Sequence, residues 1–245
     1  MELDSSSTAD AAHPQNPLLT MILIIDVSAS MQGENIRAAA ACLREIMQEA
    51  ANMAKRNAVV KVSILTFADV CDWLYHTSIA PCDFVMPSFQ TEGRADFGKM
   101  FTELDRRMNS KDLLSSPDIT CPPVLILLSA GGPSGDYQAK IEQLRRNGWF
   151  RRADKYAIPM GDETLSFFTD NEENVMRPYD SAGIIRRLKR LPMKSITALD
   201  EEWYLMEHTE SVDADSKVPV SGELSIGGRT VKAAAPEDNS EDDPW

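Results

Sequence analysis

The stretch Met21 to Met31, MILIIDVSASM, constrains the fold more than any other part of the chain. Five consecutive apolar residues, Met21 to Ile25, run into Asp26 without polar alternation, and Ser28 and Ser30 follow at alternate positions. An unbroken apolar run of this length suits a strand buried on both faces of a parallel sheet. The small oxygen-bearing side chains then fall at the strand's carboxyl end, where open α/β sheets bind ligands. Residues two apart on an extended segment point the same way, so D-x-S-x-S can turn three oxygens toward one hard cation. The same residue types also cap helices and tie down turns, and for an isolated motif that plainer role is the commoner one.

The rest of the chain supplies the elements such a strand needs. Ile36, Ala40, Leu43, Met47, Ala50 and Ala54 recur at helical spacing and predict a helix from Gly33-Glu34-Asn35 to about Arg56. Val59 to Phe67 reads as a strand, and Cys71 to Thr77, with Trp73, Tyr75 and Thr77 on one face, as a shorter antiparallel edge strand. Ile79 to Arg94 has no period and reads as a long loop. Asp96 to Met108 is helical, Val124 to Leu128 is a fully apolar strand, and the Gly131 to Gly135 stretch opens a helix to about Asn147. Tyr156 to Pro159, a short helix at Glu163 to Phe168, a last strand at Val175 to Arg177 and a helix capped by Asp180 complete the pattern. This order predicts an α/β fold: a doubly wound, mostly parallel sheet with one antiparallel edge strand and helices on both faces.

Residues 17–195 are expected to form that domain, preceded by a disordered arm (1–16) and followed by an acidic, flexible tail (196–245) with a hairpin near 223–231. In the tail, Trp203, Tyr204 and Leu205 either dock on the domain, the favoured option, or form a short recognition element. A formal net charge of −13 argues against a general binder of nucleic acid or anionic membrane. The run from Leu18 to Ile25 is too short to span a bilayer and ends in a carboxylate, so it reads as core. Cys42, Cys71, Cys82 and Cys121 are scattered, as are His13, His76 and His208, which speaks against a zinc site and for a reducing, cytoplasmic location. Two basic clusters, around Arg145 to Arg152 and Arg186 to Lys194, read first as solvated helix faces and second as a patch for an acidic partner.

The D-x-S-x-S sequence after a buried strand resembles the start of the metal-ion-dependent adhesion site of the von Willebrand factor A domain. The element order matches that fold from about Pro17 to Ser195. The G-x-P-S at Gly131 to Ser134 and the F-F-T-D-N-E-E-N-V run from Phe167 to Val175 make it most similar to small bacterial cytoplasmic members associated with tellurite resistance and stress operons. The resemblance implies a non-catalytic adaptor for a partner protein such as a nearby-encoded kinase, phosphatase or ATPase. It also implies a magnesium site begun by Asp26, Ser28 and Ser30. Two further contributors of that family's site are missing. Ala95 stands where its T-x-x-G pattern has threonine, and Ala130 where its T-D-G-x-P pattern has aspartate. Thr91 and Asp96 lie close enough in sequence to substitute. With one carboxylate in place of two, the site is expected to be incomplete and to bind magnesium weakly. Docking is then expected on a face built by Ser28, Ser30, Asp96 and Gly131, where a partner carboxylate would complete the metal shell.

A second class starts from the same residues. A strand ending in aspartate also opens the haloacid-dehalogenase phosphatases, where that residue is the nucleophile. Their acid/base partner would fall at Ser28, and serine cannot do that work near neutral pH. The Gly131 to Gly135 loop could cradle a phosphate, though it lacks the residues of a P-loop. A phosphoester hydrolase or phosphate binder is therefore the runner-up.

Overall fold

The computed structural model describes residues 16–56, 58–110, 114, 120–132, 136–194, 224–226 and 229–231. At its centre is β1, Leu18–Asp26, with all nine residues buried. β1 pairs in parallel with β2 (Val59–Phe67) on one side and β4 (Val124–Ser129) on the other. β5 (Asp154–Pro159) extends the sheet in parallel beyond β4. β3 (Cys71–Trp73) closes the other edge antiparallel to β2, giving the five-stranded order β3-β2-β1-β4-β5. This is the doubly wound, mostly parallel architecture expected, of the von Willebrand factor A or Rossmann-like kind.

The period of two along β1 divides the core into two layers. Met21, Leu23 and Ile25 pack toward α1 (Glu34–Ala54) and α5 (Ser181–Leu188), meeting Leu43, Ile46, Ala50 and Ile184. Ile22 and Ile24 face the opposite layer with Phe97, Phe101 and Leu104 of α2 (Phe97–Met108). Ile141 and Leu144 of α3 (Tyr137–Leu144) and Phe150 of α4 (Gly148–Arg152) complete that second core.

The expected boundaries shift in four places. β3 stops at Trp73 and the chain bulges before Ile79 bridges back to Val62 of β2; within the bulge Arg107 of α2 takes the His76 carbonyl and the Tyr75 phenol bonds the Val85 backbone at 3.3 Å. The helix expected to run to Asn147 is two helices. Asn147 accepts from the N–H groups of Trp149 (3.0 Å) and Phe150 (3.3 Å), capping α4, and reaches Asp105 at 3.0 Å. Glu163 to Phe168 is a turn and not a helix; the Thr164 hydroxyl competes for the Ser166 N–H at 3.4 Å. Val175 makes only a single parallel bridge, to Ala157. Asp180 does cap α5, accepting from Gly183 N–H at 2.9 Å.

A second unit, 202–245, contains β6 (Leu224–Ile226) and β7 (Arg229–Val231), paired antiparallel with Leu224 opposite Val231. Trp203, Tyr204, Leu205 and nearly all of the arm expected over 1–16 lie outside the described residues.

Lys155 of β5 is the one lysine among the buried polar residues described. Its ammonium donates to the carbonyls of Phe150 (2.7 Å) and Ala153 (2.8 Å), pairs with Asp170 at 2.6 Å and sits 4.8 Å from the Phe150 ring centroid. Lys155→Met keeps the apolar stem and strands two buried carbonyls, so urea unfolding should show a loss of about 2–4 kcal/mol.

The cysteines are all free. Burial pushes the Cys71 thiol up to about 12, helped by the charges of Glu103 and Asp96, and burial alone pushes Cys121 up to about 11. Burial also raises Cys42. The thiolate is the species that alkylates. Iodoacetamide at pH 8 should therefore modify exposed Cys82 in the native protein and reach the other three only on unfolding, as peptide mass mapping would show.

Candidate functional site

The carboxyl ends of β1 and β4 bring the D-x-S-x-S loop against the Ser129-Ala130-Gly131 turn. Asp26 is 0% exposed, and both of its carboxylate oxygens already have donors. Oδ1 accepts the Ser28 N–H at 2.8 Å, and Oδ2 accepts the Ser129 hydroxyl at 2.6 Å. Ser129 in turn accepts the Gly131 N–H at 3.0 Å. The hydroxyls of buried Ser28 and exposed Ser30 share a hydrogen bond of 2.9 Å. Asp26, Ser28, Ser30 and Gly131 thus belong to one hydrogen-bonded group spanning two loops.

Gly131 lies at a close approach. A Cβ there would fall 3.1 Å from the Ala95 methyl and 3.3 Å from Asp26 Oδ2. Ala95 therefore faces the place where the resemblance calls for threonine, and a methyl group occupies it. Asp96 is turned toward its own helix. Its Oδ1 accepts the Lys99 N–H at 2.9 Å as the N-cap of α2, and its Oδ2 pairs with the Lys99 ammonium at 3.4 Å. Of the four residues expected to form the docking face, Ser28, Ser30 and Gly131 cluster around Asp26, and Asp96 is committed to α2. Ala130 adds a half-buried methyl packed against the α1-side core.

This donor set does not fit a tightly held magnesium ion. Such an ion demands six oxygens in near-ideal geometry. Here the single carboxylate is hydrogen-bonded through both oxygens, and the two serine hydroxyls are bonded to each other. Among the described residues, no group of three or more His, Cys, Asp or Glu is placed to hold a metal. Pro133, Ser134 and Gly135 of the expected phosphate-cradling loop lie outside the described residues.

Three residues of the site escape a motif-based reading. Ser129 occupies the first position of the S-A-G turn, and its hydroxyl supplies the donor to Asp26. Asn35 donates to the Ser30 carbonyl at 3.0 Å. The single Tyr179 O–H is shared between Asn35 Oδ1 at 2.9 Å and the Met160 carbonyl at 3.2 Å, and Tyr179 is the one described non-glycine residue with positive φ, 62°. Its backbone is held by the Pro159 carbonyl at 3.0 Å and by the Cys42 thiol. No sequence signal marks that conformation, which belongs to contacts far apart in the chain.

No protein-family profile matches the chain, and no curated protein matches it in sequence. Similarity to solved structures is found at the level of fold. The pilus adhesin SpaC from Lactobacillus rhamnosus GG, in its open conformation, aligns with a TM-score of 0.52 at 11% identity, over 71% of this chain and 29% of that one. Proximal thread matrix protein 1 from the mussel byssus aligns at 0.49 and 19% identity, over 73% and 46%. The ArnB paralog VWA2 from Sulfolobus acidocaldarius aligns at 0.49 and 18%, over 69% and 44%. The chain spans less than half the length of each.

The geometry makes Asp26 a structural tie between the β1 and β4 loops. Asp26→Ala strands the Ser28 N–H and the Ser129 hydroxyl in a dry environment and should cost about 2–4 kcal/mol in chemical unfolding. Asp26→Asn retains one acceptor oxygen and should cost clearly less. Equal stability of all three proteins would show that the tie is energetically idle.

Proposed function

We propose that the chain is a non-catalytic docking module that receives a loop of a partner protein on the carboxyl-edge face formed by Ser28, Ser30 and Gly131. One observation carries the reading. The carboxylate that a nucleophile or metal ligand would have to present is fully buried and internally satisfied, whereas Ser30 stands exposed beside it. Gly33, at φ 83°, leaves open space around its Cβ position, so the loop offers backbone as well as hydroxyl to an incoming segment.

The partner is a protein of a bacterial stress-response or signalling assembly in the cytoplasm, of the kinase, phosphatase or ATPase class. That part rests on the family resemblance. Docking requires no resident cation, because the groups that would hold one are hydrogen-bonded among themselves. Hydrolysis through Asp26 is disfavoured by the same geometry: a nucleophile must be reached by its substrate, and the residue two positions on is Ser28, not an acid.

Affinity capture with the tagged chain, followed by mass spectrometry, should recover a partner that is lost from Ser30→Arg, at the exposed serine of the face, and retained in EDTA. Retention by Ser30→Arg would move the interface away from this face. Calorimetric titration with magnesium alone should give no binding heat at millimolar concentrations, and tight binding would overturn the metal-free reading.

A further inference from the structure

Next to the Asp26 group, the carboxyl edge holds a cavity of about 460 Å³ between the β2–β3 turn and the loop from Pro87 to Gly93. Val27, Leu74 and Phe89 give it an apolar wall, and the carboxylates of Asp69, Asp72 and Glu92 supply its charge. Among the described residues no lysine, arginine or histidine lines it. All three acids are exposed, and none of them is in an ion pair among the described residues. Lys99 comes close to Asp69, but its ammonium is taken by the Asp69 carbonyl at 2.8 Å and by Asp96 at 3.4 Å.

The cavity wall is stitched by backbone hydrogen bonds. Glu92 N–H donates to the Val27 carbonyl at 3.0 Å, Ala68 N–H to that of Val70 at 2.9 Å, and Asp96 N–H to that of Ala68 at 3.2 Å. Gly93, at φ 70°, lies so close to Asp69 that a Cβ would fall 2.2 Å from Oδ2. The Gly93 carbonyl accepts the Ala29 N–H at 3.0 Å, joining the cavity rim directly to the loop that carries Ser28 and Ser30.

We propose that this cavity receives an arginine-type cationic side chain from the partner loop docked on the Ser28–Ser30–Gly131 face, an inference that rests on the docking reading above. Two features select that chemistry. The apolar wall accommodates an aliphatic stem while the carboxylates meet the charged head. The three acids are too dispersed to count as a metal-holding group, and a planar guanidinium spreads its charge over several donors where a metal ion needs converging ligands. The partner's contribution at this face is then a cation, opposite in sign to the carboxylate that a metal-dependent site would recruit.

The test is an amide NMR titration of the full chain with N-acetyl-arginine N-methylamide, using the norleucine and glutamate analogues as controls. The arginine compound should give saturable shifts at Val27, Ala68, Val70 and Gly93. The glutamate analogue should give none, and the norleucine analogue should bind at least about five-fold more weakly. Asp72→Asn combined with Glu92→Gln changes only exposed side chains and should weaken the arginine compound about five-fold or more. Absence of saturable arginine-specific shifts, or an unchanged response in the double variant with an otherwise intact spectrum, overturns the proposal. The probe is a single amino-acid derivative, so arginine-specific binding alongside partner capture that survives Ser30→Arg supports the cavity and refutes the docking face. Capture lost in Ser30→Arg without arginine binding does the reverse.

Discussion

A carboxylate sealed at the end of a fully buried strand must find donors inside the protein, and the architecture of the carboxyl edge follows from how Asp26 finds them. Isolated, it would carry a desolvation penalty far larger than any single contact returns. One donor is local, the Ser28 N–H two residues on, which bends the chain out of β1. The other is distant, the Ser129 hydroxyl at the end of β4, which can arrive only once β4 lies in register against β1. Satisfying one side chain therefore fixes the position of two loops relative to each other. Gly131 follows from this, since a side chain there would meet both Asp26 and Ala95.

The sheet itself was legible because burial on both faces leaves a signature that survives without context. Val124 to Leu128 and the β1 run are apolar throughout, Val59 to Phe67 is so except at Lys61, Ser63 and Thr66, and the period of helices α1, α2 and α5 marks their core stripes. The misread elements are those decided by side chains reaching across the fold. Trp73, Tyr75 and Thr77 alternate as a strand would, yet the chain bulges after Leu74, with contacts to Arg107 and Val85, and pairs with β2 again at Ile79. Asn147 looks like the end of one helix and is the cap of the next, because its amide also braces α2. The same limit applied at the site. Asp26, Ser28 and Ser30 were visible as a motif, and the gaps at Ala95 and Ala130 were visible against a family pattern. That Ser129 completes the carboxylate's shell, and that Tyr179 braces Asn35 from an αL conformation, depends on pairings more than a hundred residues apart.

Net charge conveys little about this domain's surface. Residues 17–195 contain as many Lys and Arg as Asp and Glu, so the entire excess of negative charge lies in 1–16 and 196–245. The argument from composition against nucleic acid or membranes is thus an argument about those flanking segments. Within the domain the charges are sorted by helix polarity. Arg106 and Arg107 end α2, Arg151 and Arg152 end α4, and Arg186 and Arg187 end α5, while Glu34, Asp96 and Asp180 sit at helix starts. Each placement suits the helix macrodipole.

In a doubly wound sheet that sorting has a collective consequence. Strands β1, β2, β4 and β5 run parallel, and the helices that return the chain between them start at the carboxyl edge. Acids placed for single helices therefore accumulate on one edge of the domain and bases on the other. A metal at the carboxyl edge would offset that negative bias and recruit a carboxylate from a partner. Asp26 meets only uncharged donors, the Ser28 N–H and the Ser129 hydroxyl, so it takes no cation that would reverse the bias. Asp69, Asp72 and Glu92 then face solvent around a partly apolar cavity that no cation lines among the described residues. On the docking reading proposed above, the side chain best matched to this edge is a cation on an aliphatic stem.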